Sequence, residues 1–403
     1  MDVTLKELTI DGKGTYGIAA PAVDYAPNKY TYLRITDIND DGSLNFQGLK
    51  SVDDDDAEKY LLKENDIVFA RTGASTGRTY FYEKHHGEFV YAGFLIKYSL
   101  DPQKVNPKLL KYYTHSKVYY DWVHSFDTGG TRGNINAKAF ADMKMQLPER
   151  EAQDKIVSIL SSLDRKIELN NKINATLEEM AQALFKSWFV DFEPFKNGNF
   201  IDTEIGKIPE GWRVGTLSEV GDIVGGSTPS KAKSEFYTES GIAWLTPKDL
   251  AITHARFTAR GEIDITEAGY KSTSTKLMPR GSVLFSSRAP IGYVSIAKNE
   301  VCTNQGFKSV VPKLAGTAFI YCFLKAATPS IESKASGSTF KEASGALMKS
   351  IELAIAPKSV FDDFEKSAMP LFEQIETIEE ETLNLTHLRD TLLPRLMAGE
   401  IEV

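Results

Sequence analysis

A long internal repeat constrains this 403-residue chain more than any other feature of its sequence. Leu5-Lys-Glu-Leu8 is echoed by Leu217-Ser-Glu-Val220 at an offset of 212, and Thr36-Asp37-Ile38 by Lys248-Asp249-Leu250 at the same offset. The strand-like Asp66-Ile-Val-Phe69 matches Ser282-Val-Leu-Phe285 at 216, and each is followed by a polar turn, holding Arg71 with Gly77 and Arg288 with Gly292. Gly93-Phe94 and Gly306-Phe307 come next, and Pro148 and Pro357 close a strand-like run in each copy at an offset of 209. A duplicated unit with loop insertions produces such a drifting offset, whereas solenoid repeats recur every ~20–50 residues. The pattern predicts two copies of one architecture.

After each of those prolines the apolar spacing changes from strand-like to helical. The first stripe reads Ile156, Leu160, Leu163 and Ile167, weakens at Asn170 and Asn171, and resumes as Leu177, Met180, Leu184 and Trp188. The second reads Phe364, Ala368, Leu371, Ile375, Ile378, Leu385, Leu388, Leu392 and Leu396. Two helices of ~40 residues would each reach ~60 Å, beyond the extent of a ~150-residue domain. Matching seams at that length favour pairing of the helices with each other over packing of each on its own domain. Pro394 is expected to kink or stop the second helix.

The predicted order is a globular domain at 1–148, a long helix at 149–192, a polar linker at 193–208, a second globular domain at 209–357 and a second long helix at 358–400. Inside each globular domain short strands alternate with turn clusters, and helical patterns are confined to 107–120 and 319–327. The expected class is α+β, with a mainly antiparallel or barrel-like sheet in each domain.

Composition excludes some functions and suggests none. The longest apolar run, near 318–324, is far short of the ~18 residues of a membrane span. The opening residues do not resemble a signal peptide, and two cysteines cannot build a disulfide framework, so a cytoplasmic location is expected. The net charge is −8, half of it matched by the acidic run at 53–56. That balance still allows nucleic acid to bind a locally basic face.

Catalytic motifs do not survive inspection. Gly12-Lys-Gly-Thr-Tyr-Gly17 fits a dinucleotide fingerprint, but Pro21 breaks the helix that must follow it. Gly73-Ala-Ser-Thr-Gly-Arg-Thr79 is one residue short of a phosphate-binding loop and carries Arg78 where lysine is needed. The histidines lack metal-ligand spacing apart from the adjacent pair His85 and His86, which reads as a solvated turn. No proline is followed by aspartate, so a common nuclease pattern is missing as well. A non-enzyme is expected, with no catalytic residue, metal or cofactor of its own.

What remains is a set of polar loops at matching places in the two copies. Arg71, Thr72 and Arg78 lie in one turn, and Thr131, Arg132, Asn134 and Asn136 follow Gly129-Gly130. Thr246, Lys248 and Arg288, with Ser338, Thr339 and Lys341, are their counterparts in the second copy. Arginine and asparagine read guanine and adenine edges bidentately, while threonine, serine and lysine suit phosphates. These residues are the candidate DNA contacts, the alternative being ordinary solvated loops.

The whole arrangement resembles the DNA-sequence-specificity subunit of type I restriction–modification systems. The stretches that carry the resemblance are Gly206-Lys-Ile-Pro-Glu-Gly-Trp212, the segment 281–292 with Thr303-Asn-Gln-Gly306, the run from Leu147-Pro148 through Gln153, and the ending Leu392-Leu-Pro-Arg-Leu-Met-Ala-Gly-Glu-Ile401. The second helix departs from the pattern, with Asp362 or Asp363 in the region that matches Gln153. The resemblance implies two target-recognition domains, each reading one half of a bipartite sequence in double-stranded DNA. It implies that the long helices form an antiparallel coiled coil that sets the spacer and docks two methyltransferase subunits, and through them the restriction (translocase) subunits. S-adenosylmethionine, ATP and Mg would belong to those partners. The aromatic group Phe185, Trp188, Phe189 and Phe192 is a candidate methyltransferase patch, with a core between helix and domain as the alternative reading. A specificity subunit of another restriction–methylation type and a two-lobed protein scaffold that binds no DNA are the competing functions.

Overall fold

The computed structural model describes residues 2–46, 48–127, 133–253, 255–337 and 341–401. They form two compact units, one of residues 1–167 with 384–403 and the other of residues 168–383. The division runs through both long helices.

In the first unit the strand Asp2–Thr4 pairs antiparallel with Lys144–Gln146, bringing the start of the domain beside the strand that leads to Pro148. One antiparallel sheet runs in the order Thr15–Tyr16, Leu95–Ser99, Asp66–Ala70, Thr79–Phe81. A second runs Ala22–Asp24, Lys50–Val52, Thr31–Leu33, Phe89–Tyr91, with its last pair parallel. Five consecutive buried residues in Asp66–Ala70 place that strand at the centre of the fold. The helical pattern at 107–120 is two helices, Pro107–Tyr113 and Lys117–His124, because the Ser116 hydroxyl accepts from the Tyr119 N–H and starts a new helix.

The second unit repeats this plan. Arg213–Thr216 pairs antiparallel with Glu352–Ile355, as the first and last strands do in the other domain. The central sheet runs Gly221–Gly225, Lys308–Pro312, Val283–Phe285, Val294–Ala297, Phe257–Thr258, antiparallel except for its last pair. The duplication extends to caps: the Thr4 and Thr216 N–H groups donate to Glu7 and Glu219 three residues on, and Asp37 and Asp249 accept from the N–H groups of Arg34 and Thr246. The connector before this domain is not a plain linker, since Phe200–Thr203 and Gly206–Pro209 form an antiparallel hairpin.

The long helices span Arg150–Phe189 and Lys358–Met397. The first ends three residues earlier than expected, before Phe192 adopts a left-handed conformation at φ 54°. The second continues three residues past Pro394 and also passes through Pro370, each proline removing one intrahelical donor. Ile156, Val157 and Leu160 of the first helix and Leu393 and Leu396 of the second close the core of the first unit. In the second unit the buried face comprises Leu177, Ala181, Phe185 and Phe189, together with Phe361, Phe364, Ala368, Phe372 and Ile375. This corrects the expected stripe by one residue: Met180 is half exposed, and Leu184 and Trp188 lie at the edge of the core. The helix segments of this unit run antiparallel, for Phe189 stacks near Phe361 while Asn170 donates to Glu381 and Thr382. Each segment therefore packs on its neighbour and on the domain at once.

Polar contacts fix the helices to the domains. Burial opposes ionisation of Asp164, but Lys111 and Arg389, both 3.1 Å away, hold its carboxyl below the usual range, and it accepts from the Tyr112 hydroxyl. Glu178 is likewise buried yet held low by Lys325 and Arg256, while the Tyr321 hydroxyl donates to it at 2.7 Å. Glu365 accepts from the Ala318 N–H at the start of the helix Thr317–Lys334, and burial pushes its carboxyl upward.

Gln153, fully buried, accepts from the Asn106 N–H and donates to the Pro148 carbonyl, each at 2.9 Å, which ties the start of the first helix to its domain. The residue 208 positions on is Phe361, not one of the neighbouring aspartates, and it is buried against Phe189 and Phe319. Replacing Gln153 with Ala leaves the Asn106 donor without its partner, so the first unit should lose about 1–3 kcal/mol. Denaturant unfolding checks this, and a loss under about 0.5 kcal/mol, that of an ordinary surface change, would remove Gln153 from the anchor.

Candidate nucleic-acid interface

In the first unit the turn after Asp66–Ala70 meets the segment that begins at Gly133. The Arg71 N–H donates to the Phe94 carbonyl, and the Arg71 carbonyl accepts from Ile135. These bonds hold the Arg71 side chain over the Tyr16 ring, 5.1 Å from its centre, with Nε 3.3 Å from Asn134 Oδ1. Phe94 and Asn134 are exposed beside it. The result is a half-buried guanidinium over an aromatic ring, next to an exposed amide and an exposed apolar side chain.

The other predicted contacts of this unit separate from that cluster. Arg78 turns to Asp40 (2.6 Å) and the Ile38 carbonyl. Asn136 accepts from the Ala139 N–H at 2.9 Å and caps the helix Ala137–Ala141, so its side chain is committed to the fold. Thr72 is half-buried at the start of a short 3₁₀ turn, Gly73–Ser75. Thr131 and Arg132 lie outside the described residues.

The second unit carries an open groove of about 1220 Å³. Thr246, Lys248 and Arg288 line it together with Thr228, Asn304 and Gln305. Gly306 follows directly, and a Cβ there would come within 2.8 Å of the Pro247 ring. Thr246 donates its N–H and hydroxyl to Asp249, a capping role, so Lys248 and Arg288 are the expected cations that line the groove. Lys248 pairs with Glu262 at 2.6 Å and Arg288 with Glu342 at 3.0 Å. Lys341 is exposed and reaches the Glu332 carbonyl, while Ser338 and Thr339 lie outside the described residues.

Sequence reasoning passed over Tyr16, Thr228, Asn304 and Gln305. The signal for the last two was the Thr303-Asn-Gln-Gly306 stretch, which pairs two base-reading amides with a glycine. Arginine, asparagine and glutamine in an open groove, flanked by lysine and threonine, can read base edges and hold phosphates.

The aromatic patch lies elsewhere. Phe185 and Phe189 are buried among Phe319, Phe361 and Phe364, and Trp188 and Phe192 pack half-buried, Trp188 on Phe364 and Phe195 and Phe192 on Trp212. Phe185 and Phe189 belong to the core, and with Phe192 they also line an open pocket of about 340 Å³ beside Phe319 and Phe323.

Comparison with known proteins decides the family. Residues 1–179 and 209–367 each match the family model described as the type I restriction modification DNA specificity domain. The chain belongs to that family. As a type I specificity protein its role is to supply DNA sequence specificity. It is similar to the HindI specificity subunit of Haemophilus influenzae, at 27% identity covering 94% of this chain and 93% of the relative. The MjaIX specificity subunit of Methanocaldococcus jannaschii is 43% identical over 157 residues, covering 38% of this chain and 36% of the relative. The crystal structure of a type I restriction-modification S subunit from M. genitalium shares the fold, with a TM-score of 0.57, 18% identity and coverage of 98% and 96% of the two chains. No helix among the described residues of this type I specificity protein is long and apolar enough to cross a membrane.

The cap assigned to Asn136 is checked by Asn136→Ala, which should lower the stability of the first unit by about 0.5–2 kcal/mol. A variant of unchanged stability that binds DNA poorly would return Asn136 to the contact surface.

Proposed function

We propose that each domain reads one half of a bipartite site in double-stranded DNA and that the two long helices set the gap between the halves. The observation that carries this reading is the recurrence of an arginine in the turn after the same central strand, Arg71 beside Asn134 in one unit and Arg288 in the other, where it lines a groove with Asn304 and Gln305. Tyr16 holds Arg71 for an approach to a base edge, and Lys248 and Thr228 flank the second groove as phosphate contacts. A 40-residue helix is about 60 Å long, more than the ~34 Å of one DNA turn. Paired as an antiparallel coiled coil, two such helices would act as a ruler and hold the readers in separate stretches of groove.

The proposed protein is non-catalytic and works inside the cell with two methyltransferase subunits and, through them, the restriction subunits. Methyl transfer from S-adenosylmethionine and ATP- and Mg-dependent cleavage fall to those partners. The exposed residues of the long helices are the docking surface in this reading, since Phe185 and Phe189 are occupied in the core.

Two substitutions test the division of labour. Arg71→Ala should relax the preferred sequence in one half-site and leave the other intact, and Arg288→Ala should do the converse, each lowering preference at its position by about tenfold or more. Selection of bound duplexes from a random pool by the full chain with its methyltransferase reads both. Loss of preference in both halves from either single change would refute independent reading.

A further inference from the structure

We infer that Glu342 is a specificity-determining positioning residue that fixes the Arg288 guanidinium for one base in the second domain's groove; the inference rests on the DNA-reading role proposed above. A carboxylate facing a DNA groove repels phosphate, so its presence calls for a compensating task. Glu342 lines the groove and contacts two cations at once: Oε2 lies 3.0 Å from an Arg288 terminal nitrogen and Oε1 lies 3.3 Å from Lys308 Nζ. Lys308 itself is largely buried, which makes it a fixed anchor for the carboxylate and not a mobile surface partner.

The backbone around Glu342 is equally fixed. Its N–H donates to the Ser336 carbonyl at 2.8 Å, its own carbonyl accepts from the Ser336 N–H, and the next residue, Ala343, donates to Ser287 at 3.0 Å. That last bond joins the loop to the residue immediately before Arg288. Carboxylate and guanidinium are thus held by adjacent, hydrogen-bonded backbone. The Arg288 side chain remains 41% exposed. With one terminal nitrogen held by Glu342, the remaining donors of the planar guanidinium stay available for a base edge. A single fixed orientation favours bidentate contact with the two acceptors of guanine, where a freely rotating arginine would also accept phosphates and other bases. The first domain achieves a comparable restraint by other means, the Tyr16 ring and Asn134.

The test uses Glu342→Gln and Arg288→Ala in the full chain with its methyltransferase, with duplexes selected from a random pool and thermal unfolding recorded in parallel. Glu342→Gln should keep the wild-type unfolding temperature and the first half-site intact. It should lower the preference for guanine about tenfold at the one position that Arg288→Ala also relaxes. Glu342→Asp should restore part of that preference, which a purely structural role would not predict. Tighter binding to all sequences with the preference unchanged would show that Glu342 merely competes with DNA for Arg288, and would overturn the inference. An unaltered motif would overturn it as well. If the wild-type protein itself selects no sequence, the reading of the groove as a base reader fails, and the inference falls with it.

Discussion

Neither domain closes its core alone: each needs a segment from both long helices. In the second unit the aromatic rings of Phe185 and Phe189 from the first helix and Phe361 and Phe364 from the second enclose Phe319. Aliphatic side chains do the same work in the first unit, where Ile156 and Leu160 share a core with Leu393 and Leu396. Burying a ring or a leucine side chain contributes roughly 1.5–3 kcal/mol. Several such groups per helix segment make the helices structural parts of the domains, not tethers between them. Residues such as Asp164, Glu178 and Glu365 then set the azimuth of each helix by pairing with basic groups or N–H donors on the domain.

That arrangement bears on how an acidic protein recognises DNA. The cations of the proposed interface are not arranged as an unpaired basic patch. In the second domain Lys248 and Arg288 each face a carboxylate, which neutralises local charge, whereas Arg71 in the first rests against the Tyr16 ring and Asn134. A surface of this kind sacrifices non-specific attraction to phosphate and keeps geometric selectivity. The net charge of −8 is consistent with it.

The duplication was legible in the sequence because it extends to individual caps: the pairs Glu7 and Glu219, and Asp37 and Asp249, bond to equivalent backbone donors. The two long helices were legible because an apolar period of two and one of three to four are easily told apart. Finer points were not. The helix stripe slipped by one residue after Leu177, since Met180 and Ala181 are both acceptable at a seam and only the facing rings decide between them. Asn136 and Thr246 looked like base readers because the groups that suit a base edge or a phosphate also cap helices. Tyr16 escaped notice because it reaches Arg71, 55 residues away in sequence, only through the pairing of strands.

The central proposal is that the two domains read two separate sequences. Its most direct test is to co-express the chain with its methyltransferase subunit and map methylated bases across a genome. The account predicts one asymmetric motif in two parts separated by a gap of fixed length and free sequence. A continuous motif, a palindrome or a gap of variable length would contradict it.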